Sequence, residues 1–242
     1  MISNSKAQTR SSLSKDHKYS MTELNDILAP LNYVDRIKKI YEIYDAKDIL
    51  VSSSFGTKSV LMLYLISQIC PEQKIYFINT TYHFPETIGY KDYLTSLYNL
   101  NVIDVLPNEE ENQLTLEQEW WKDHPRMCCT INKIAPFGPI TKLHKVWITG
   151  LMSNQTDVRS RLNYIESKGD IRKIYPILDL NEELFQQEIE KHKLQRHPLE
   201  MDGFGSVGCK HCTIKGDGRE GRWCKTDQTE CGLHTSYFYK KQ

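Results

Sequence analysis

Residues 48–69, DILVSSSFGTKSVLMLYLISQI, change character twice. An apolar, β-branched run of strand length leads into the small polar turn SSSFGTKS, and an apolar run of helical length follows. Strand, turn and helix then repeat downstream. KIYFINT reads as a strand and PETIGYKDYLTSLY as a helix with proline in its first turn, and NVIDVL is a further strand. TLEQEWWKD and INKIAPFGPITKL read as helical segments, the second interrupted by Pro136 and Pro139. VWITGL and IRKIYPIL supply more strands, and NEELFQQEIEKHKL is a helix capped by Asn181 or Asp179. Alternation of this kind predicts an α/β fold, a parallel sheet with helices on both faces.

Upstream, Ser20-Met21-Thr22-Glu23 has capping-box spacing ahead of a short helix broken by Pro30, and YVDRIKKIYEIY predicts a second helix. Residues 1–19 are polar and are expected to be disordered; 20–198 form the α/β domain. Beyond Pro198 no period persists, so 199–242 are expected to be an irregular tail held by something other than a core.

The chain has 242 residues, 39% of them hydrophobic, enough for one sizeable core. Lys plus Arg and Asp plus Glu are both 31, so no global field argues for nucleic acid or membrane, and any anion site must be local. No apolar stretch approaches the roughly 20 residues of a membrane helix and the N-terminus lacks a signal-peptide core, so a cytoplasmic protein is expected.

The turn after the first strand is where a local anion site belongs. Free backbone N–H groups and a helix N-terminus favour phosphate or sulfate there. Ser52, Ser53, Ser54 and Ser59 add hydroxyls, Gly56 allows close backbone approach, and Lys58 adds positive charge. The Walker pattern is absent; a plain serine-rich connection is the alternative.

Seven cysteines in a reducing compartment read as thiols or ligands rather than disulfides. Cys70 ends an apolar run and is expected in the core. Cys128-Cys129 and the CxxC pair Cys209 and Cys212 make four thiols in two tight pairs, a set that suits zinc or an iron-sulfur cluster. Adjacent cysteines point poorly at one small ion, which favours the cluster, while unrelated thiols or a redox CxxC remain alternatives. Cys231 lies near the end of the chain, between Glu230 and Gly232.

Taken together, VSSSFGTKSV, FINTTYHFPET, CCTINKIAPF, KIYPILDL, HPLEMDGFGSVGCKHCT, GREGRW and ECGLH resemble, in order, the sulfonucleotide reductases of sulfate assimilation. The resemblance covers about residues 45–234 and implies an adenine-nucleotide α-hydrolase-like fold. It implies that the serine turn holds phosphate and sulfate, that Cys128, Cys129, Cys209 and Cys212 bind a 4Fe-4S cluster, and that Cys231 is the nucleophile. Lys133 would lie between cluster and substrate, Arg219 and Arg222 would close over the substrate anions, and His234 is a further candidate. A thioredoxin-like dithiol would be the partner that releases sulfite, and a homo-oligomer is expected.

Three departures bear on the substrate. Asn132 stands where cluster-bearing relatives carry arginine, and Met152-Ser153 where paired arginines are usual, leaving Arg159 and Arg161 as the nearest replacements. Lys58 and Ser59 stand where acidic residues would repel a 3'-phosphate. Lys58 and Ser59, together with Asn132, lead to 3'-phosphoadenylyl sulfate as the expected substrate, with adenylyl sulfate as the alternative; Cys224 is read as an incidental thiol. The competing classes are an ATP pyrophosphatase-type sulfur-transfer enzyme, which usually shows SGGxDS in the turn, and a non-catalytic zinc or redox module.

Overall fold

A computed structural model describes residues 17–223 and 230–233; Cys224 and His234 lie outside the described residues. Two helices, α1 (Met21–Leu28) and α2 (Tyr33–Ile43), lead into β1 (Ile49–Ser53), α3 (Val60–Ile69), β2 (Lys74–Ile78), α4 (Pro85–Leu97) and β3 (Asn101–Val105). Then α5 (Glu109–Glu117), α6 (Trp120–Asp123), α7 (Pro125–Cys129) and α8 (Ala135–Lys142) precede β4 (Val146–Ile148). The hairpin β5 (Ile165–Lys168) and β6 (Ile171–Ile174) comes next, followed by α9 (Glu182–Lys191) and α10 (Pro198–Met201).

The sheet runs β3-β2-β1-β4-β6-β5. All neighbours pair parallel except β5, which is antiparallel to β6 at the edge. Alternation along β1 sends Ile49 and Val51 to a core shared with α1, α2, α3 and α9, and Leu50 to the opposite face with Phe137 of α8. The chain winds outward from β1 through β2 to β3, then returns to place β4 on the other side of β1. That reversal opens a crevice at the carboxyl ends of β1 and β4, where open α/β sheets bind ligands.

The edge hairpin is absent from the sequence reading, although ESKGDIRK carries a signal. Lys168 pairs with Ile171 across a two-residue Gly169-Asp170 turn, with Gly169 at φ 63°. The expected helix over 115–123 is split, because Glu119 adopts a left-handed φ of 49°. The expected interruption at the prolines takes another form. The helical path continues through Pro136 and Pro139 in α8. The ladder adjusts just before it, in a π turn over Thr130–Ile134 where the Ala135 N–H reaches back to the Thr130 carbonyl. Pro136 has no N–H to continue α-helical pairing, so the register widens there. The described chain is already packed before residue 20: Tyr19 lies against the main core, and its carbonyl accepts a hydrogen bond from Arg172.

Asn181 is the cap of α9, its side chain accepting from the Leu184 N–H. Asp179 instead faces Arg36, which is only 2% exposed. The two form a fork with N–O distances of 2.6 and 2.9 Å. Arg36 also donates to the carbonyls of Leu28 and Ala29 at the end of α1 and to that of Pro176, and stacks on Tyr164. One guanidinium thus ties the N-terminal helices to the segment after β6. Arg36→Met is expected to lower unfolding stability by about 2–4 kcal/mol, read by urea denaturation, because it strands carbonyls and a partly buried carboxylate.

Candidate active site

The crevice between β1 and β4 is a cleft of about 310 Å³. Its wall contains the whole serine turn: Ser52, Ser53, Ser54, Gly56, Lys58 and Ser59. The sharp bend comes from Phe55, at φ 48°. Its ring is buried edge-on against Phe77, which compensates for a conformation side chains rarely adopt. Gly56 serves close approach: a Cβ there would lie 3.1 Å from the Val207 carbonyl oxygen. The Ser53 hydroxyl accepts from the Phe55 N–H, and that of Ser52 from the Trp147 indole at 2.8 Å. Ser59 caps α3 without a side-chain hydrogen bond.

Lys58 lines the cleft, but its ammonium pairs with Glu182 and lies 3.7 Å from Glu200. Glu182 is itself in the cleft wall. Glu200 is in turn paired with Arg196 at 2.6 Å, so two cations face two carboxylates at that corner.

The opposite end is cationic. Lys133, Arg159, Arg219, Arg222 and Cys231 all line the cleft. Arg161 does not join them: it is exposed on the far side of its 3-10 turn and is not part of the cleft wall. Lys133 Nζ donates to Cys231 Sγ at 3.8 Å. Burial works against the Lys133 charge, yet Cys209, Cys231 and Cys129 outweigh it and hold the ammonium well above its ordinary range. Arg222 rests on the Trp223 ring and, like Arg219, is pushed down by burial, Arg219 to about 10. Among the described residues both guanidiniums keep a buried Nε–H without a partner, and the Thr149 hydroxyl in the same wall is equally unmatched. Buried donors left open in a cleft are places for ligand oxygens.

Next to this end, the four cysteines of the two tight pairs border one small cavity together with Asn132 and Lys133. Tyr82, Trp121 and His211 wall it, the last two stacked at 3.8 Å. The CxxC loop is fastened by a backbone bridge between His83 and Cys209 and by the Lys210 N–H on the Tyr82 carbonyl. Lys133 and Cys209 belong to both cavities. All six described cysteines are free. Burial and the neighbouring thiols push Cys128 and Cys212 up to about 12 each. Cys209 is the exception: burial opposes its ionisation, but Lys133 and the Thr80 hydroxyl bring it below its usual value.

Four thiols round one cavity, two of them raised by their neighbours, suit a cationic group binding all of them, so this donor set fits an iron-sulfur cluster. The Asn132 amide donates to Cys128 Sγ at 3.5 Å, and the Thr80 hydroxyl shares a hydrogen bond with Cys209 Sγ at 3.3 Å. Among the described residues no group of three or more His, Cys, Asp or Glu is arranged to hold a single metal ion. Asn132, 1% exposed, also donates to the Thr115 hydroxyl and accepts from Asn112. It faces the cysteines rather than the cleft.

A model of the phosphoadenosine phosphosulfate reductase domain matches residues 48–215. The chain belongs to this family. It is a sulfonucleotide reductase. Among curated relatives it is 30% identical to the adenosine 5'-phosphosulfate reductases of Bacillus cereus and Bacillus thuringiensis, over 91% of this chain and 96% of theirs. A phosphoadenylyl-sulfate reductase structure from Candida auris aligns with a TM-score of 0.70 at 22% identity, covering 84% of this chain and 98% of the other. The Candida glabrata FMN adenylyltransferase aligns at 0.52 with 13% identity, over 79% of this chain and 72% of the other, a likeness of fold.

The reductase site includes residues that sequence reasoning passed over. His83 sits inside FINTTYHFPET, lines the cleft, and is held neutral, down to about 4, chiefly by burial. Lys173 lies 1% exposed over the Trp147 ring at 4.2 Å, and burial brings it down to about 7. No spacing marks either. Gly208 is a third: a Cβ there would stand 2.2 to 2.7 Å from three atoms of the Arg222 guanidinium. Gly208→Ala is expected to displace Arg222 and weaken nucleotide binding at least tenfold, measured by calorimetry, with the urea midpoint little changed.

Proposed function

We propose that this reductase transfers the sulfo group of adenylyl sulfate to Cys231 and that a thioredoxin-like dithiol then releases it as sulfite. The observation that carries the reading is the position of Cys231. Its sulfur touches Lys133 where the nucleotide cleft meets the four-thiol cavity.

The steps follow from the groups present. The Cys231 thiolate attacks the sulfur of the phosphosulfate anhydride, the S–O bond to phosphate breaks, and the nucleotide monophosphate leaves with the electron pair. Charge grows on the leaving phosphate, where Lys133, Arg219 and Arg222 and the N–H groups of the serine turn stabilise it. The enzyme then carries an S-sulfonate. A donor thiolate attacks Cys231 Sγ and expels sulfite, leaving a mixed disulfide; the donor's second thiol resolves it, regenerating Cys231 and oxidising the donor. Cys128, Cys129, Cys209 and Cys212 would hold a 4Fe-4S cluster. When bound, it sets the charge beside Lys133, tuned by the hydrogen bonds its cysteines receive. A reducing cytoplasm suits six free thiols, and no described helix is long and apolar enough to cross a membrane.

Adenylyl sulfate is favoured over the 3'-phosphorylated form expected from Lys58 and Asn132. Lys58 is matched by Glu182, Glu200 being paired more closely with Arg196, and the Glu182 carboxylate in the cleft wall opposes a further phosphate. Asn132 supports the cysteines and says nothing about the nucleotide. The curated relatives at 30% identity, described as adenosine 5'-phosphosulfate reductases, point the same way.

Sulfite release with thioredoxin, measured for each nucleotide, tests the choice. Adenylyl sulfate should have the higher kcat/KM, and Glu182→Gln should shift the ratio roughly tenfold toward the 3'-phosphorylated substrate, about 1.4 kcal/mol. An unchanged ratio would remove the electrostatic argument. Anaerobically purified protein is expected to hold about four irons with cysteinate absorption in the visible; zinc in their place contradicts the cluster.

A further inference from the structure

Glu230, immediately before Cys231, has a side chain only 3% exposed. A carboxylate so deeply placed needs cationic partners, and it has two. Arg159 Nε and Nη2 each donate at 2.8 Å, one to each carboxylate oxygen. Arg219 Nη2 donates to Oε2 and the Thr156 hydroxyl to Oε1, both at 3.1 Å. Burial alone would raise the Glu230 carboxyl; these donors hold it below its ordinary value.

Arg159 is committed mainly to the protein. Its Nη1 donates to Gln155, so each of its three nitrogens already serves a protein acceptor and three of its five N–H donors are engaged. Arg219 differs, because its Nε lacks a partner among the described residues. On the other side of Cys231, Lys173 Nζ donates to the Leu233 carbonyl at 3.4 Å. The nucleophile is thus suspended between a charge clasp one residue before it and a buried lysine two residues after.

We propose that Glu230 is a positioning residue for Cys231, and that Arg159 serves it rather than the substrate anion. The clasp sets Cys231 against Lys133, while Arg219 links the clasp to the cleft. This deepens the proposed function and rests on its reading of Cys231 as the nucleophile.

Two measurements on the intact holoprotein test it. One is peptide-mapped alkylation of Cys231 by iodoacetamide without nucleotide; the other is the single-turnover rate of S-sulfonate formation at saturating adenylyl sulfate. Glu230→Gln should speed alkylation at least tenfold and slow sulfonation at least tenfold, with the nucleotide concentration for half-maximal rate unchanged or lower. Arg159→Gln should show the same split, and the double variant should be no worse than either single one. Thr156→Val, which deletes the hydroxyl's bond to Glu230 and the one it accepts from the Arg159 N–H, should move both rates in the same directions by a few fold. Alkylation and sulfonation within twofold of wild type in all three single variants would overturn the inference. So would an Arg159→Gln effect confined to a tenfold higher half-maximal concentration, which would return that guanidinium to the substrate. If wild type forms no sulfonate, the nucleophile reading falls, and the alkylation rates alone still decide whether Glu230 holds the segment.

Discussion

Lys133, Arg159, Arg219 and Arg222 converge on one end of a cleft, and offsetting their mutual repulsion is the constraint around which the site is organised. Two kinds of anion are already supplied by the protein. Glu230 takes Arg159 and one arm of Arg219, and the sulfurs of Cys231, Cys209 and Cys129 sustain the charge of Lys133. Among the described residues the buried Nε of Arg219 and of Arg222 stay unmatched. A phosphosulfate presents oxygens of the kind those donors require, and the crevice beside β1 brings its phosphate onto the amides before α3. In the proposed reading the cations around Lys133 take the anhydride toward Cys231, and the Glu182 carboxylate lies on the ribose side.

The fold follows from the same ordering. Reversal of strand order beside β1 creates the crevice, and the π turn after Cys129 changes the helical register carrying Asn132 and Lys133. Asn132 lies behind the cysteines, while Lys133 reaches the cleft. Adjacent residues can thereby serve different cavities. Among its described residues the tail after α10 contributes no long element, yet its glycines allow close contact: Gly208 lies under Arg222, and Gly56 in the facing turn lies against Val207.

Much of this was legible in the chain. The apolar runs located five of the six strands, because buried parallel strands and the helices between them differ in length and period. The hairpin at Gly169 was missed because β5 is short, half-exposed and lacks an apolar run. Serine-turn residues, Lys133, Arg159, Arg219, Arg222 and Cys231 do meet in one cleft, since their motifs sit on strand ends and loops that the topology gathers. Pairing was not legible. That Lys58 is matched by Glu182, or that Arg159 faces Glu230, depends on contacts between residues 124 and 71 positions apart. Arg161 shows the converse: two positions from Arg159 on a 3-10 turn, it points to solvent.

The account stands on covalent transfer to one sulfur. Intact-mass spectrometry of the anaerobic holoprotein after exposure to adenylyl sulfate, without any thiol donor, tests it most directly. One added sulfonate mapped to Cys231, absent in Cys231→Ser and discharged as sulfite by reduced thioredoxin, is the predicted result. An unmodified protein with either sulfonucleotide, or an adduct that persists in Cys231→Ser, would contradict it.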